Sequence, residues 1–77
     1  MLSEEEIKVL ARAHHDMLKA KDVNSINKIY RQVRTWNRWH SIGLERNFKE
    51  SREYCLINDY LKTYRIEARN KLEGNEE

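Results

Sequence analysis

Apolar side chains near the start of the chain recur every three or four residues, the spacing of one face of an α-helix. Ser3 precedes this pattern, and Glu6 stands three residues after it, so the two can form a capping box at the helix N-terminus. We therefore predict a first helix over residues 4–20. Its core-facing stripe comprises Ile7, Leu10, Ala11, His14, Met17 and Leu18.

A second stripe of the same period follows a short polar break. Asp22 can cap this helix, as can Asn24 if the connection is longer, and Gly43 can end it in the left-handed conformation. We predict a second helix over residues 22–41 that forms an antiparallel hairpin with the first, because the connection is short. The stripe comprises Ile26, Ile29, Val33, Trp36 and His40, with Tyr30 and Asn37 at its edge.

The remaining segment contains two apolar stripes about 120° apart on a helical wheel, at 100° per residue. Either it breaks into two helices, with Asn58–Asp59 as the cap, or one helix over residues 45–73 meets different partners at its two ends. We favour one helix, because the second stripe passes through Asn58–Asp59 without interruption. Such a helix would be roughly 42 Å long and could project beyond the hairpin and dimerise. We expect self-association through Tyr54, Ile57, Leu61, Tyr64, Ala68 and Leu72.

The composition favours helices throughout. The 77 residues include two glycines and no proline, so the residues that build the tight turns of a sheet are scarce. We predict an all-α, self-associating three-helix bundle with one domain over residues 1–73 and an acidic tail over 74–77. A chain this short buries a small core, which a second copy could complete.

Charge is unevenly distributed although the net charge is only +2. Six of the 13 acidic residues lie at the two ends, which leaves 15 basic against seven acidic residues between Ile7 and Leu72. Three arginines share one side of the second helix, and Trp39 lies about 80° from Arg31, where we expect it to be partly exposed. A binding role is predicted for Lys28, Arg31, Arg34, Arg38, Trp39, Lys49 and Arg52.

Catalytic and metal-binding patterns are weak. Cys55 with His40 and Asp59 is the only nucleophilic set that can be assembled, and no glycine-rich turn lies near Cys55 to supply an oxyanion hole. No two histidines stand at the i, i+4 spacing of a helical metal site. We therefore expect a buried structural cysteine, a partly buried His14, no metal, no cofactor and no enzymatic activity.

The expected location is cytoplasmic. No apolar run approaches the roughly 18–20 residues that span a bilayer, the N-terminus is acidic, and a lone cysteine is typical of intracellular proteins. The stripe of the second helix is expected to pack on other helices, so no membrane partner is predicted. Richness in Asn, Lys and Ile is typical of AT-rich genomes and suggests a phage or mobile-element accessory protein.

The predicted function is a small non-enzymatic interaction protein, an adaptor, inhibitor or assembly factor that docks on another protein through the Arg/Trp-rich helix face. Tryptophan and arginine are enriched at the energetic centres of protein interfaces. The alternative is a nucleic-acid-binding module that uses the basic belt over residues 28–52 with Trp39 stacking on bases. The modest net charge weighs against this alternative, because nucleic-acid-binding domains usually have a pI above about 9. A third possibility is a purely structural, self-assembling bundle.

Overall fold

The computed structural model describes residues 1–74, which form three helices: α1 (Glu4–Lys19), α2 (Val23–Gly43) and α3 (Arg52–Gly74). Each helix packs against the other two, so the predicted all-α three-helix bundle is confirmed. The start of α1 lies beside the end of α2, which makes these two helices antiparallel, and α3 returns parallel to α1. Within the described residues no helix is both long and apolar enough to cross a membrane.

The predicted caps of α1 and α2 are confirmed. The Ser3 hydroxyl accepts from the Glu6 N–H at 3.2 Å, and Glu6 Oε1 accepts from the Ser3 N–H at 2.8 Å, which completes a capping box. Asp22 Oδ1 accepts from the Ser25 N–H at 2.7 Å. Both caps satisfy backbone donors that have no partner inside their helices.

The core lies on the shared axis of the bundle, and its position corrects two of the predicted stripes. On α1, Ala13 is buried whereas Ile7 is 54% exposed, because the Ile7 side of α1 borders an open groove. On α2, Tyr30 and Asn37 are buried although the pattern placed them at the edge. The buried apolar side chains are Leu10, Ala13, Met17, Ile26, Tyr30, Ile57, Leu61 and Ala68.

The predicted third helix over residues 45–73 is wrong at its start, because residues 44–51 form a connection and α3 begins at Arg52. Gly43 belongs to α2, and Glu45 rather than Gly43 adopts the left-handed conformation, with φ of 57°. The Ser51 hydroxyl accepts from the Tyr54 N–H at 3.2 Å and so caps α3. The 23 residues of α3 span about 35 Å rather than 42 Å.

The predicted acidic tail over residues 74–77 is wrong at its first residue. Gly74 is the last residue of α3. Residues 75–77 of that tail lie outside the described residues.

Candidate interaction surface on α2

The exposed side of α2 is positively charged and carries no acidic residue from Val23 to Gly43. Arg31, Arg34 and Arg38 are all exposed. Within residues 1–74, none of the three lies within 4.0 Å of a carboxylate oxygen. Their charges are therefore available to a partner.

The three arginines line one groove of about 290 Å³ between α2 and α3, together with Thr35 and Tyr54. They share one side of α2, as the sequence analysis predicted, and with Tyr30 buried that side borders α3. The Arg34 guanidinium carbon lies 5.6 Å from the centre of the Tyr30 ring, within cation–π range. The lining of the groove thus combines three guanidinium groups with the hydroxyl groups of Thr35 and Tyr54.

Trp39 lies outside this groove, on the solvent side of α2. Its side chain is 66% exposed, as predicted, and the nearby Ile42 and Leu44 are 47% and 52% exposed. Three large apolar side chains thus project to solvent where α2 ends. We call Arg31, Arg34, Arg38 and Trp39 the arginine–tryptophan face.

A buried ionic cluster holds the end of α2 that carries Trp39. Glu6 has no exposed surface, and its Oε2 accepts a hydrogen bond from Arg46 Nη1. His40 Nε2 lies 3.3 Å from the same oxygen, although its direction does not make a hydrogen bond. The His40 ring stacks on Trp36, with centroids 4.6 Å apart. The cluster joins the first turn of α1, the last turn of α2 and the connection that follows it.

The ionisation of Glu6 is tied to this cluster. Burial by itself raises the pKa of Glu6, but the hydrogen bond from Arg46, the two bonds to Ser3 and the Arg46 charge outweigh burial and lower that pKa to about 2. Glu6 is therefore a buried carboxylate that stays charged near neutral pH.

The other predicted binding residues are exposed but stand apart from the arginine groove. Lys28, Lys49 and Arg52 do not line it. Lys49 lies in the connection, where its N–H donates to Asn47 Oδ1 at 2.9 Å, and Arg52 opens α3. Binding by the whole predicted belt over residues 28–52 stays a prediction.

Two further basic grooves were missed by the sequence analysis. One, of about 300 Å³, is lined by Asn24, Asn27, Tyr30, Arg31 and Arg65. The other, of about 270 Å³, is lined by Lys62, Arg65, Ile66 and Arg69. The spacing of Lys62, Arg65 and Arg69 places them on one side of a helix, and from this spacing the sequence could have predicted the second of these grooves.

The stripe predicted for self-association packs inside the single chain. Ile57, Leu61 and Ala68 are at most 1% exposed, and Tyr54, Tyr64 and Leu72 are half-buried. Unless the bundle opened, a second copy could contact only the three half-buried side chains. Self-association through this stripe stays a prediction.

An apolar groove of about 520 Å³ lies on the opposite side of the bundle, between α1 and α3. The partly buried His14 expected there is confirmed, since its ring stacks on Tyr64 at 4.1 Å and its Nε2 lies 3.1 Å from Glu67 Oε2. The groove is lined by Met1, Leu2, Ile7, Leu10, Ala11, His14, Leu56, Tyr60 and Tyr64.

The expectation of a buried cysteine is wrong, because Cys55 is exposed. It lies two residues from the buried Ile57, which places the two on nearly opposite sides of α3. Cys55 Sγ is 3.8 Å from the Phe48 carbonyl oxygen, and His40 faces Glu6. In the part of the chain that the structure describes, no three His, Cys, Asp or Glu side chains are arranged to hold a metal ion.

Comparisons with protein-family models, with curated proteins and with solved structures found no match to this chain.

Proposed function

We propose that this chain is a non-enzymatic interaction module that docks on another protein through the arginine–tryptophan face of α2. The observation that carries the proposal is Trp39, which is 66% exposed beside a row of exposed arginines. Leaving a tryptophan in water forgoes the stabilisation that burial of its large apolar area would give. A partner that covers Trp39 would recover that stabilisation.

The surroundings of Trp39 favour a protein partner. Ile42 and Leu44 extend the exposed apolar surface, and Arg38 stands at its border. An apolar centre with an aromatic anchor and a charged rim is the usual arrangement of a protein interface.

The scaffold also supports this proposal, because the face is held on a rigid element. The stack of Trp36 on His40 and the pairing of Arg46 with Glu6 fix the last turns of α2 from beneath. A surface whose geometry is set in advance loses less conformational entropy when it binds.

The experiment is affinity capture with the full chain, compared between wild type and single variants in nuclease-treated extracts. Trp39→Ala and Arg38→Glu should each lose a protein that the wild type retains in stoichiometric amount. Lys21→Glu is the matched control, because it changes an exposed charge in the connection between α1 and α2. Equal recovery of that protein by wild type and Trp39→Ala would contradict the proposal.

A further inference from the structure

A continuous basic surface runs along the side of the bundle where α2 meets α3. Three grooves compose it: the first two share Arg31, and the second and third share Arg65. Among residues 1–74, no aspartate or glutamate lines any of the three. We call the basic side chains of these grooves the basic track, which consists of Arg31, Arg34, Arg38, Lys62, Arg65 and Arg69.

The middle groove contains polar atoms that lack a partner. The Arg65 guanidinium lies 4.9 Å from the centre of the Tyr30 ring. Arg65 Nε and Asn27 Oδ1 are both buried, and neither has a hydrogen-bond partner within residues 1–74. Both atoms belong to residues that line the middle groove.

We propose that the basic track binds the sugar–phosphate backbone of nucleic acid. The α2 side chains that line it, from Asn24 to Arg38, cover about 21 Å of helix axis at 1.5 Å per residue. That length matches about six successive phosphates of one DNA strand, which are 3.4 Å apart along the duplex axis. Arginine, the commoner basic residue in the track, donates to two phosphate oxygens at once.

The composition of the track favours phosphates over the side chains of an acidic protein. Apart from the basic residues, its linings consist of Asn24, Asn27, Thr35, the two tyrosines Tyr30 and Tyr54, and one apolar residue, Ile66. Asparagine, threonine and tyrosine are the usual donors to phosphate and sugar oxygens. An extended row of positive charge without a large apolar centre is suited to a regular polyanion.

This site shares Arg31, Arg34 and Arg38 with the arginine–tryptophan face of the proposed function but does not include Trp39. Trp39 and Ile42 lie on the solvent side of α2 and line none of the three grooves. Trp39→Ala therefore tests the docking proposal alone, and substitutions at Lys62 and Arg69 test the basic track alone, so the failure of one proposal is distinguishable from the failure of the other.

The test is a fluorescence-anisotropy titration of the full chain with a labelled 20-base-pair DNA duplex of random sequence, repeated with the single strand. A labelled polyglutamate peptide of matched charge serves as the competing probe. If all six basic side chains contact phosphates, duplex affinity should fall about a thousandfold between 50 and 200 mM salt. The slope of log affinity against log salt should lie near about −5.

The variants are chosen to keep the bundle folded, which far-UV circular dichroism checks. Lys62→Glu with Arg69→Glu changes two exposed residues of α3, and Arg31→Glu with Arg34→Glu changes two of α2. Each pair should weaken duplex binding at least tenfold and make the salt slope shallower by about 2.

The control pair is Lys19→Glu with Lys21→Glu, which removes as much charge from exposed sites outside the track. This control and Trp39→Ala should both bind DNA within about twofold of wild type. The proposal is overturned if the track pairs bind no more weakly than the control pair. It is also overturned if polyglutamate binds as tightly as DNA, a result that would assign the track to an acidic protein.

Discussion

Replacing Glu6 with glutamine removes a buried negative charge and leaves the Arg46 guanidinium beside a neutral amide. The substitution keeps the size of the side chain and an oxygen that can still accept from the Ser3 N–H. With that oxygen bound to Ser3, the amide NH2 takes the place of the oxygen that Arg46 contacts, so both the charge and the acceptor are lost there. The experiment therefore measures the charge-assisted contact with Arg46, which joins α1 to the connection after α2.

The size of the effect follows from the lowered pKa. A shift from 4.5 in the unfolded chain to about 2 in the bundle corresponds to about 3 kcal/mol, at roughly 1.4 kcal/mol per pH unit. Because the folded pKa is the lower one, this stabilisation is fully present above about pH 4.5 and is lost as the pH falls toward 2. A loss of about 3 kcal/mol is large beside the 4–11 kcal/mol expected for a domain of this size, at about 0.05–0.15 kcal/mol per residue.

The assay is urea denaturation followed by far-UV circular dichroism, at pH 7 and at several lower pH values. The free energy of unfolding of Glu6→Gln should lie about 3 kcal/mol below wild type at pH 7. The difference should shrink to under about 1 kcal/mol near pH 2, where wild-type Glu6 becomes protonated. Subtracting the free energy of unfolding of Glu6→Gln from that of the wild type at each pH cancels the pH dependence that other carboxylates contribute. Asp22 is one of these, because hydrogen bonds from Ser25 lower its pKa.

Glu5→Gln is the control, because it removes an exposed charge from the same turn of α1. Its cost should be about 0.3–1 kcal/mol, the usual value of one charge near a helix N-terminus. The reasoning is refuted if Glu6→Gln costs less than about 1 kcal/mol at pH 7. A large difference that does not change with pH would refute it as well.

Three further substitutions test the packing, each by the same urea assay at pH 7. The buried Asn37 Nδ2 donates to the Tyr54 carbonyl at 3.2 Å and to Asn58 Oδ1 at 3.1 Å. Asn37→Asp places a carboxylate oxygen against these two acceptors and should lower the free energy of unfolding by about 2–4 kcal/mol. Leu61→Ala opens a cavity at a fully buried position and should cost about 2–5 kcal/mol; a cost below about 1 would place Leu61 outside the core. Ser51→Ala removes the cap of α3 and should cost about 1 kcal/mol, and no change would mean that α3 does not depend on this cap.

The helices and two of the caps could be predicted because their causes are local. The Ser3–Glu6 capping box and the Asp22 cap depend on residues three positions apart, and the scarcity of glycine and proline is visible in the composition. The start of α3 could not be predicted in this way. Glu45 adopts the left-handed conformation next to Arg46, whose side chain pairs with Glu6, 40 residues away.

The candidate site was predictable on one helix and not across two. The three arginines and the exposed Trp39 follow from spacing on α2 alone. Arg65 joins them only because α3 packs antiparallel to α2 and turns that side chain over Tyr30. Such a juxtaposition depends on the register between two helices, which the pattern of a single helix does not contain.

The most direct test of the docking proposal is whether a partner covers Trp39. In the Trp36→Phe variant Trp39 is the remaining tryptophan, and phenylalanine can preserve the stack on His40. Quenching of its fluorescence by acrylamide should be strong in the free protein and should fall several-fold when the captured protein is added, with a blue shift of the emission. Emission and quenching that are the same in the free protein and in the complex would contradict the claim that Trp39 is the anchor of the interface.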